Sequence, residues 1–294
     1  MESVLGNKKA VAVLLGPALI FFVGVIAVPV VWSFVYSLYT GNVIRGFTFV
    51  GAANLTRLWS DPEAHQAFWF TLKYALVVTA GQILLGYALA LLYVFVLRRA
   101  STLVRTMVFF PVVLPTVSVS LLFSRFFQYA PTDGPINSIL KVLGAQHVDF
   151  FSAGGTSFIV LVVMDLWRTQ GFYAVLLYAG LVEIPDSAID AARVDGAGGW
   201  RLVRHVVVPM SLPVLFSAVI FSFNASLKVF DSVLALTRGG PGSDTTPLNL
   251  FMYKTSFLST DYGYGSTIAL LITGVCLVVT LAIFRSSRRD LTKG

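Results

Sequence analysis

EIPDSAIDAARVDGAGGWRLVRHVVVP, residues 183–209, is a charged stretch lying between two long apolar runs. Its charges keep it out of a bilayer, yet its composition is not that of a disordered linker. Pro185 suits the first turn of a helix. Asp186 and Asp190 fall in the N-terminal half, where the helix dipole favours negative charge. Ala188, Ala191 and Ala192 recur at helical spacing as a small apolar face. Gly196 stands where a left-handed C-terminal cap is expected, and Gly198 and Gly199 interrupt the helix again. Trp200, Val203 and Val207 predict a second apolar stripe leading into Pro209. The stretch reads as helix, sharp turn, helix, held outside the hydrocarbon.

On either side the chain is built to cross membranes. A spanning helix needs roughly 20 apolar residues for a ~30 Å hydrocarbon core. Six stretches qualify: 10–38, 74–97, 106–124, 158–182, 209–236 and 266–284. The second, third and sixth carry no charge. Of 294 residues 56% are hydrophobic and 12% charged, against about 25% charged in soluble domains, and the mean hydropathy is +0.81. Soluble cores could not bury that surplus. Lys8 and Lys9 before an apolar run resemble a signal peptide, but the run continues uncharged to Leu38. Cleavable signal cores have only ~7–15 apolar residues, so a retained span is expected.

The charge of +7 is mostly a topology signal. With the N-terminus inside, twelve basic residues fall on the cytoplasmic side: Lys8, Lys9, Arg98, Arg99, Arg105, Arg193, Arg201, Arg204, Arg285, Arg288, Arg289 and Lys293. Six, Arg45, Arg57, Lys73, Lys141, Arg238 and Lys254, fall outside. Cytoplasmic loops retain Lys and Arg, so both termini are expected in the cytoplasm and nucleic acid is not an expected partner. Cys276 stands alone, and His65, His147 and His205 show no ligand spacing. These counts exclude an intrachain disulfide framework and a Cys-based metal cluster. Trp32, Tyr36, Tyr39, Phe68, Trp69 and Tyr74 gather near span ends, as interfacial aromatics do. Pro17, Pro29, Pro111 and Pro115 fall inside spans, where neighbouring groups can satisfy the freed carbonyls.

The run Asp190-Ala191-Ala192, three residues, Gly196, nine residues, then Val206-Val207-Val208-Pro209 resembles the EAA loop of ABC importer permeases. That pattern is Glu-Ala-Ala, three residues, Gly, nine residues, Ile-x-Leu-Pro. The spacing matches throughout; Asp replaces Glu at 190, and Val replaces Ile and Leu at 206 and 208. Ile184-Pro185, Ala191 to Ala197 and Trp200 are similar to the carbohydrate-uptake branch, which includes the maltose transporter membrane subunits. So are Gly16-Pro17, Phe49-Val50-Gly51, Asn54, Asp61-Pro62, Leu114-Pro115 and the run 236–242. The resemblance covers nearly the whole chain.

It implies an all-α integral membrane protein of six transmembrane helices, with a cytoplasmic coupling-helix loop at 183–209 between the fourth and fifth. It also implies one importer transmembrane domain over 1–294, its core about 70–285. Asp190, Ala191, Ala192, Asp195 and Gly196 would meet a cytoplasmic ATPase dimer. A second, different permease, an extracytoplasmic solute-binding protein and membrane lipid complete the implied partners, in a prokaryotic cell membrane. The chain has no GxxxxGK[ST] phosphate loop, so it is expected to bind no cofactor and catalyse nothing, with ATP and Mg on the ATPase.

Ionisable residues within spans are functional candidates. Asp165 and Arg168 are three apart on the fourth span and can pair on one helix face. Arg168 lies roughly 15 Å from the outer end at 1.5 Å per residue, near the midplane. Lys228 and Asp231 repeat the spacing in the fifth span, and Arg125 is interfacial. Trp167, Gln170, Phe172 and Tyr173 surround Arg168, and aromatic faces with polar donors suit a sugar. The resemblance implies a sugar site among the fourth and fifth spans and carries over only those segments; within them Arg168, Gln170, Phe172, Ser222, Ser226 and Val229 are the candidate lining residues. The expectation is import of a di- or oligosaccharide. The alternative within the class is import of another small polar solute, such as a glycerophosphodiester or a polyamine, and Arg168 keeps it open by favouring an anionic substrate. An integral membrane enzyme would need a catalytic constellation that is not visible, and an ion channel would need a filter-like repeat.

Overall fold

The computed structural model describes residues 8–97 and 100–291, with side chains for 11–97 and 100–285. Lys8, Lys9, Arg98, Arg99, Arg288, Arg289 and Lys293, which bear on orientation, lie outside the described side chains. The protein is mostly helical. Five helices are long and apolar enough to cross a membrane: α1 (Val11–Ser37), α3 (Pro62–Leu97), α7 (Gly154–Val182), α9 (Gly199–Leu227) and α12 (Tyr262–Arg285). A two-stranded antiparallel hairpin, β1 (Tyr39–Asn42) and β2 (Gly46–Phe49), follows α1, with α2 (Ala53–Ser60) after it. This hairpin is a departure from the all-α expectation.

The stretch expected as one third span is a bent pair. Helices α4 (Ser101–Val113) and α5 (Thr116–Phe126) meet at 95°. The residue before a proline is driven out of helical conformation, and Leu114, with ψ 138 before Pro115, is extended. Pro111 stays within α4. The short helices are α6 (Pro135–Val142), α8 (Asp186–Val194), α10 (Asp231–Leu236) and α11 (Leu248–Tyr253).

Two other prolines are accommodated differently. A π turn over Val23–Ala27 precedes Pro29 in α1, and one over Val203–Val207 precedes Pro209 in α9. In each, the residue before proline bonds to the carbonyl five back: Val28 to Val23 and Val208 to Val203. Proline cannot donate to the carbonyl four back, and the wider turn absorbs the mismatch without ending the helix. Because of this the fifth span starts at Gly199, ten residues before the expected start. It also stops earlier. Lys228 (φ −97, ψ 15) caps α9, and Phe230 (φ −148, ψ −63) precedes α10. Lys228 and Asp231 are therefore not on one continuous helix, and no ion pair joins them among the described residues.

The chain packs as two units, Met1–Ala64 with Phe251–Gly274 and His65–Leu250 with Val275–Gly294. Within the first, Asn54 donates to the carbonyls of Ser37 and Tyr39 at 2.8 Å each. Arg57 pairs with Asp261 at 2.7 Å and lies over the Tyr264 ring.

Within the second unit, α7 is the central element. It packs on α3, α4, α5 and α9, and small residues set how near they come. A Cβ on Gly171 would overlap the Val108 carbonyl of α4 and lie 2.7 Å from the Phe109 Cα. On Gly86 it would meet Tyr173 and Ala174 of α7 at 3.0–3.1 Å. Backbone cannot yield as a side chain can, and overpacking typically costs about 1–3 kcal/mol. Gly171→Val should therefore lower the melting temperature in detergent, whereas Gly155→Val, with nothing within 4 Å, should not. Equal melting of the two variants would show that α4 and α7 are not in tight contact.

Candidate functional site

The sequence placed Asp165 and Arg168 on one face of the fourth span, and the structure puts both at a cavity. Arg168 Nη2 lies 3.6 Å from Asp165 Oδ1. The other carboxylate oxygen, Oδ2, accepts from the Tyr74 hydroxyl of α3 and, at 3.2 Å, from the Ser232 hydroxyl of α10. One carboxylate thus joins three helices. Asp165 Oδ1 and Arg168 Nε have no hydrogen-bond partner and are buried. The ion pair is loose and under-satisfied.

Beneath it runs a second polar chain. Thr169 donates to the Asp165 carbonyl at 2.5 Å, and the Gln82 amide donates to the Thr169 hydroxyl at 2.7 Å. Ser222 of α9 donates to Gln82 Oε1 at 2.5 Å and lies 3.1 Å from the Thr79 hydroxyl. Such networks are satisfied only if their partners keep register, so they hold α3, α7 and α9 together.

The cavity above has a volume of about 190 Å³. Its walls combine Asp165, Arg168 and Tyr173 with Ser226, Lys228, Val229 and Asp231, and Thr116 joins from α5. Both interruptions of helix border it: Thr116 directly follows the 95° bend, and residues 228–230 are the break after α9. Irregular backbone at membrane depth is tolerated where it lines a cavity or is buried in protein.

Of the residues expected on a substrate path, Arg168, Ser226 and Val229 line this cavity. Ser222 is fully buried in the network below. Phe172 packs with Tyr173 and Phe221, ring centroids 5.2 and 6.3 Å away, and Gln170 is half-buried on the same helix; neither is a lining residue. Sequence reasoning missed Gln82, Thr169, Ser232 and Thr116 and gave Tyr74 only an interfacial role. The partners of Tyr74 and Gln82 are 91 and 87 residues distant, so no local spacing betrays them.

A second group is α8. Pro185 is its N-cap (φ −61, ψ 135), and Asp186 opens its first turn. Gly196 has φ +81; its N–H reaches the Arg193 carbonyl at 3.0 Å and the Ala197 N–H reaches the Ala192 carbonyl at 2.8 Å. That pair of bonds is a Schellman ending. Ile189 is buried with Leu181 of α7 and Leu202 and Val207 of α9, with Ala192 half-buried against them. Asp190, Ala191, Val194 and Asp195 face outward, and Asp190 pairs with Arg193 at 3.2 Å. The second apolar stripe holds at Val207, which is buried, and at half-buried Val203, with Leu202 joining them, but departs from expectation at Trp200, which is 71% exposed.

Among the described residues, no group of three His, Cys, Asp or Glu side chains could hold a metal ion. The arrangement is a small polar chamber at helix breaks, together with a rigid outward-facing helix.

The comparisons with known proteins match this architecture. Residues 82–292 match the model of the binding-protein-dependent transport system inner membrane component family. The sulfoquinovosyl glycerol transport system permease of Agrobacterium fabrum is 30% identical, covering 97% of this chain and 92% of its own. The trehalose/maltose transport system permease of Thermococcus litoralis is 31% identical, covering 90% and 88%. A chain of a bacterial alginate ABC transporter, solved with an alginate pentasaccharide-bound periplasmic protein, superposes with a TM-score of 0.82 at 20% identity, covering 98% and 96%. The chain belongs to the binding-protein-dependent transport system inner membrane component family. It is a multi-pass membrane permease of an ABC importer, and ATP is hydrolysed by a separate subunit.

Removing one member of a buried ion pair strands the other, at about 3–5 kcal/mol, whereas replacing both with apolar groups can be nearly neutral. Because Asp165→Leu also strands the Tyr74 and Ser232 hydroxyls, the expectation concerns coupling: Arg168→Met should cost less in an Asp165→Leu background than alone. Thermal melts of the four-member cycle read this directly. Equal costs of Arg168→Met in the two backgrounds would mean the pair contributes little as a pair.

Proposed function

We propose that the chain is one of two different permease subunits of a sugar importer and that the cavity at Arg168 is a stretch of the solute path. The observation that carries the path is the coincidence of an under-satisfied intramembrane ion pair with two helix breaks around one chamber. Discontinuous helices at membrane depth are where transporters place their sites. The substrate class rests on relatives named for trehalose, maltose and other glycosides and on the chemistry of the walls. Arg168 and Lys228 are balanced by Asp165 and Asp231, and serine and tyrosine add hydroxyls. A mixed set of donors and acceptors without net charge suits a neutral polyol better than a glycerophosphodiester. Phe172 and Ser222 stand behind the walls, the first against Tyr173 and the second bonded to Gln82, while Gln170 makes no such contact among the described residues. About 190 Å³ is less than the roughly 300–1,000 Å³ typical of ligand pockets, consistent with a second permease supplying the remaining wall for a di- or oligosaccharide.

In this reading the whole chain, 1–294, acts as a single importer transmembrane domain, both termini are cytoplasmic, and 183–209 is the coupling loop. Helix α8 presents Asp190, Ala191 and Asp195 to the ATPase dimer, and the Gly196 turn fixes its projection. ATP and Mg bind that partner, no cofactor resides on this chain, and an extracytoplasmic binding protein delivers the solute. Two facts support the coupling role: α8 is packed against both α7 and α9 through Ile189, and Val194 at its end is 87% exposed.

Transport in proteoliposomes tests the path. Asp165→Leu with Arg168→Met should assemble with the ATPase and bind the loaded binding protein, yet import sugar at a small fraction of the normal rate. Normal import would make the pair purely structural. For the coupling loop, Gly196→Pro should leave the protein folded but abolish solute-stimulated ATP hydrolysis. Proline is fixed near φ −65° and would remove the N–H that reaches Arg193; full stimulation would disprove the assignment. Orientation is checked with single cysteines in a Cys276→Ser background. Val194→Cys should react with an impermeant maleimide only from the cytoplasm and Val142→Cys only from outside; the opposite pattern would invert the topology.

A further inference from the structure

The β1–β2 hairpin carries its most apolar residues at its tip. Val43 is 79% exposed and Ile44 92%, and Arg45 follows them. The tip has a fixed shape. Asn42 Oδ1 accepts the N–H of Ile44 at 3.0 Å and of Arg45 at 2.8 Å, and its amide nitrogen donates to Thr260 at 3.2 Å. Gly46 completes the turn with φ +83. A rigid turn that holds two β-branched aliphatics outward is costly in water, and exposed apolar groupings of this kind mark contact surfaces.

The position of the hairpin indicates what it contacts. β1 starts two residues after the last residue of α1, a helix with no part of its apolar window buried. The Val50 N–H returns to the Leu38 carbonyl at 2.9 Å, so the base of the hairpin is closed on the helix end. Phe47 packs on Tyr36, centroids 5.1 Å apart, and Tyr36 on Trp32 at 6.3 Å. An aromatic ladder therefore runs continuously from the flank of the spanning helix onto the hairpin. At about 3.3 Å per residue, Val43 and Ile44, six and seven residues beyond Ser37, can lie no further than roughly 20–23 Å from the helix end. Aromatic rings near a span end, apolar residues beyond them and an arginine beside them are the features of an interfacial anchor.

We propose that the hairpin tip is inserted in the headgroup region of the bilayer beside α1, with Val43 and Ile44 toward the acyl chains and Arg45 at the lipid phosphates. The ligand is the phospholipid surface itself. The choice of outer leaflet rests on the orientation proposed above, whereas contact with lipid does not.

The test uses the assembled importer in proteoliposomes of phosphatidylcholine and phosphatidylglycerol, with Cys276→Ser and a nitroxide on Ile44→Cys. Power saturation compares collisions with oxygen, which partitions into lipid, and with a water-soluble nickel chelate supplied on both sides. The proposal expects oxygen collisions to exceed chelate collisions severalfold. Chelate collisions in excess would place the tip in water and overturn it. Low values for both reagents would mean the tip is covered by protein, which also overturns it. Maleimide labelling of Val142→Cys in the same vesicles reports orientation separately, so an inverted topology would change the leaflet and leave the depth result intact.

Discussion

Inside a bilayer no water is available to satisfy backbone N–H and C=O groups, so each departure from regular helix must find an internal solution. This constraint organises most of what distinguishes the chain from a simple bundle. Pro29 and Pro209 are absorbed by π turns that let their helices continue. Pro115 and residues 228–230 interrupt helix outright, and both interruptions border the same chamber. The detached pieces α5 and α10 pack on one another, and the Asp165 carboxylate is bonded to Ser232 of α10. Protein thus covers the irregular backbone on one side and a polar cavity on the other.

The same constraint explains which parts of the fold were legible in the sequence. Long uncharged runs have no alternative to helix, so the spans near 10–38, 158–182 and 266–284 match closely. Helix interruptions are harder to foresee. Pro111 and Pro115 look equivalent locally, yet only the second breaks the helix, because Leu114 becomes extended and Thr116 can face the chamber. Pro209 suggested a helix start, but the π turn before it carries helix back to Gly199. The hairpin at 39–49 was invisible for a different reason: only two four-residue strands are present, and a polar and aromatic loop carries little periodicity.

At the site, close spacing was readable and distant pairing was not. Asp165 and Arg168 announced themselves by charge in an apolar run, and their ion pair exists. Lys228 and Asp231 had the same spacing but not the same helix, so the pattern failed once the chain broke between them. The Gly196 turn was legible because a glycine following an alanine-rich helix has few other uses, and its φ of +81 agrees. The inward-facing side of α8 was misjudged. Ile189, which the alanine pattern left out, is its buried anchor; Ala188 and Ala192 are half-buried beside it, and Ala191 is exposed.

That anchor bears on how the two candidate regions would communicate on the importer reading. Ile189 is clamped with Leu181 of α7 and Leu202 and Val207 of α9. Helix α7 carries Asp165 and Arg168, and α9 carries Ser226 and ends at the break beside Lys228. From Arg168 to the end of α7 at Val182 is about 21 Å of continuous helix at 1.5 Å per residue. If α8 is the coupling helix, a force on it would act on the near ends of both helices, whose far parts line the chamber. Packed helices respond as rigid bodies because interiors are close-packed and do not deform continuously. The loose ion pair lies within α7 and does not join it to α9; its Oδ1 and Nε lack hydrogen-bond partners. On the importer reading, rocking of α7 against α9 would load the Gln82 bonds that join Thr169 of α7 to Ser222 of α9, and because Gln82 and Thr169 also line the chamber, its shape would change with them.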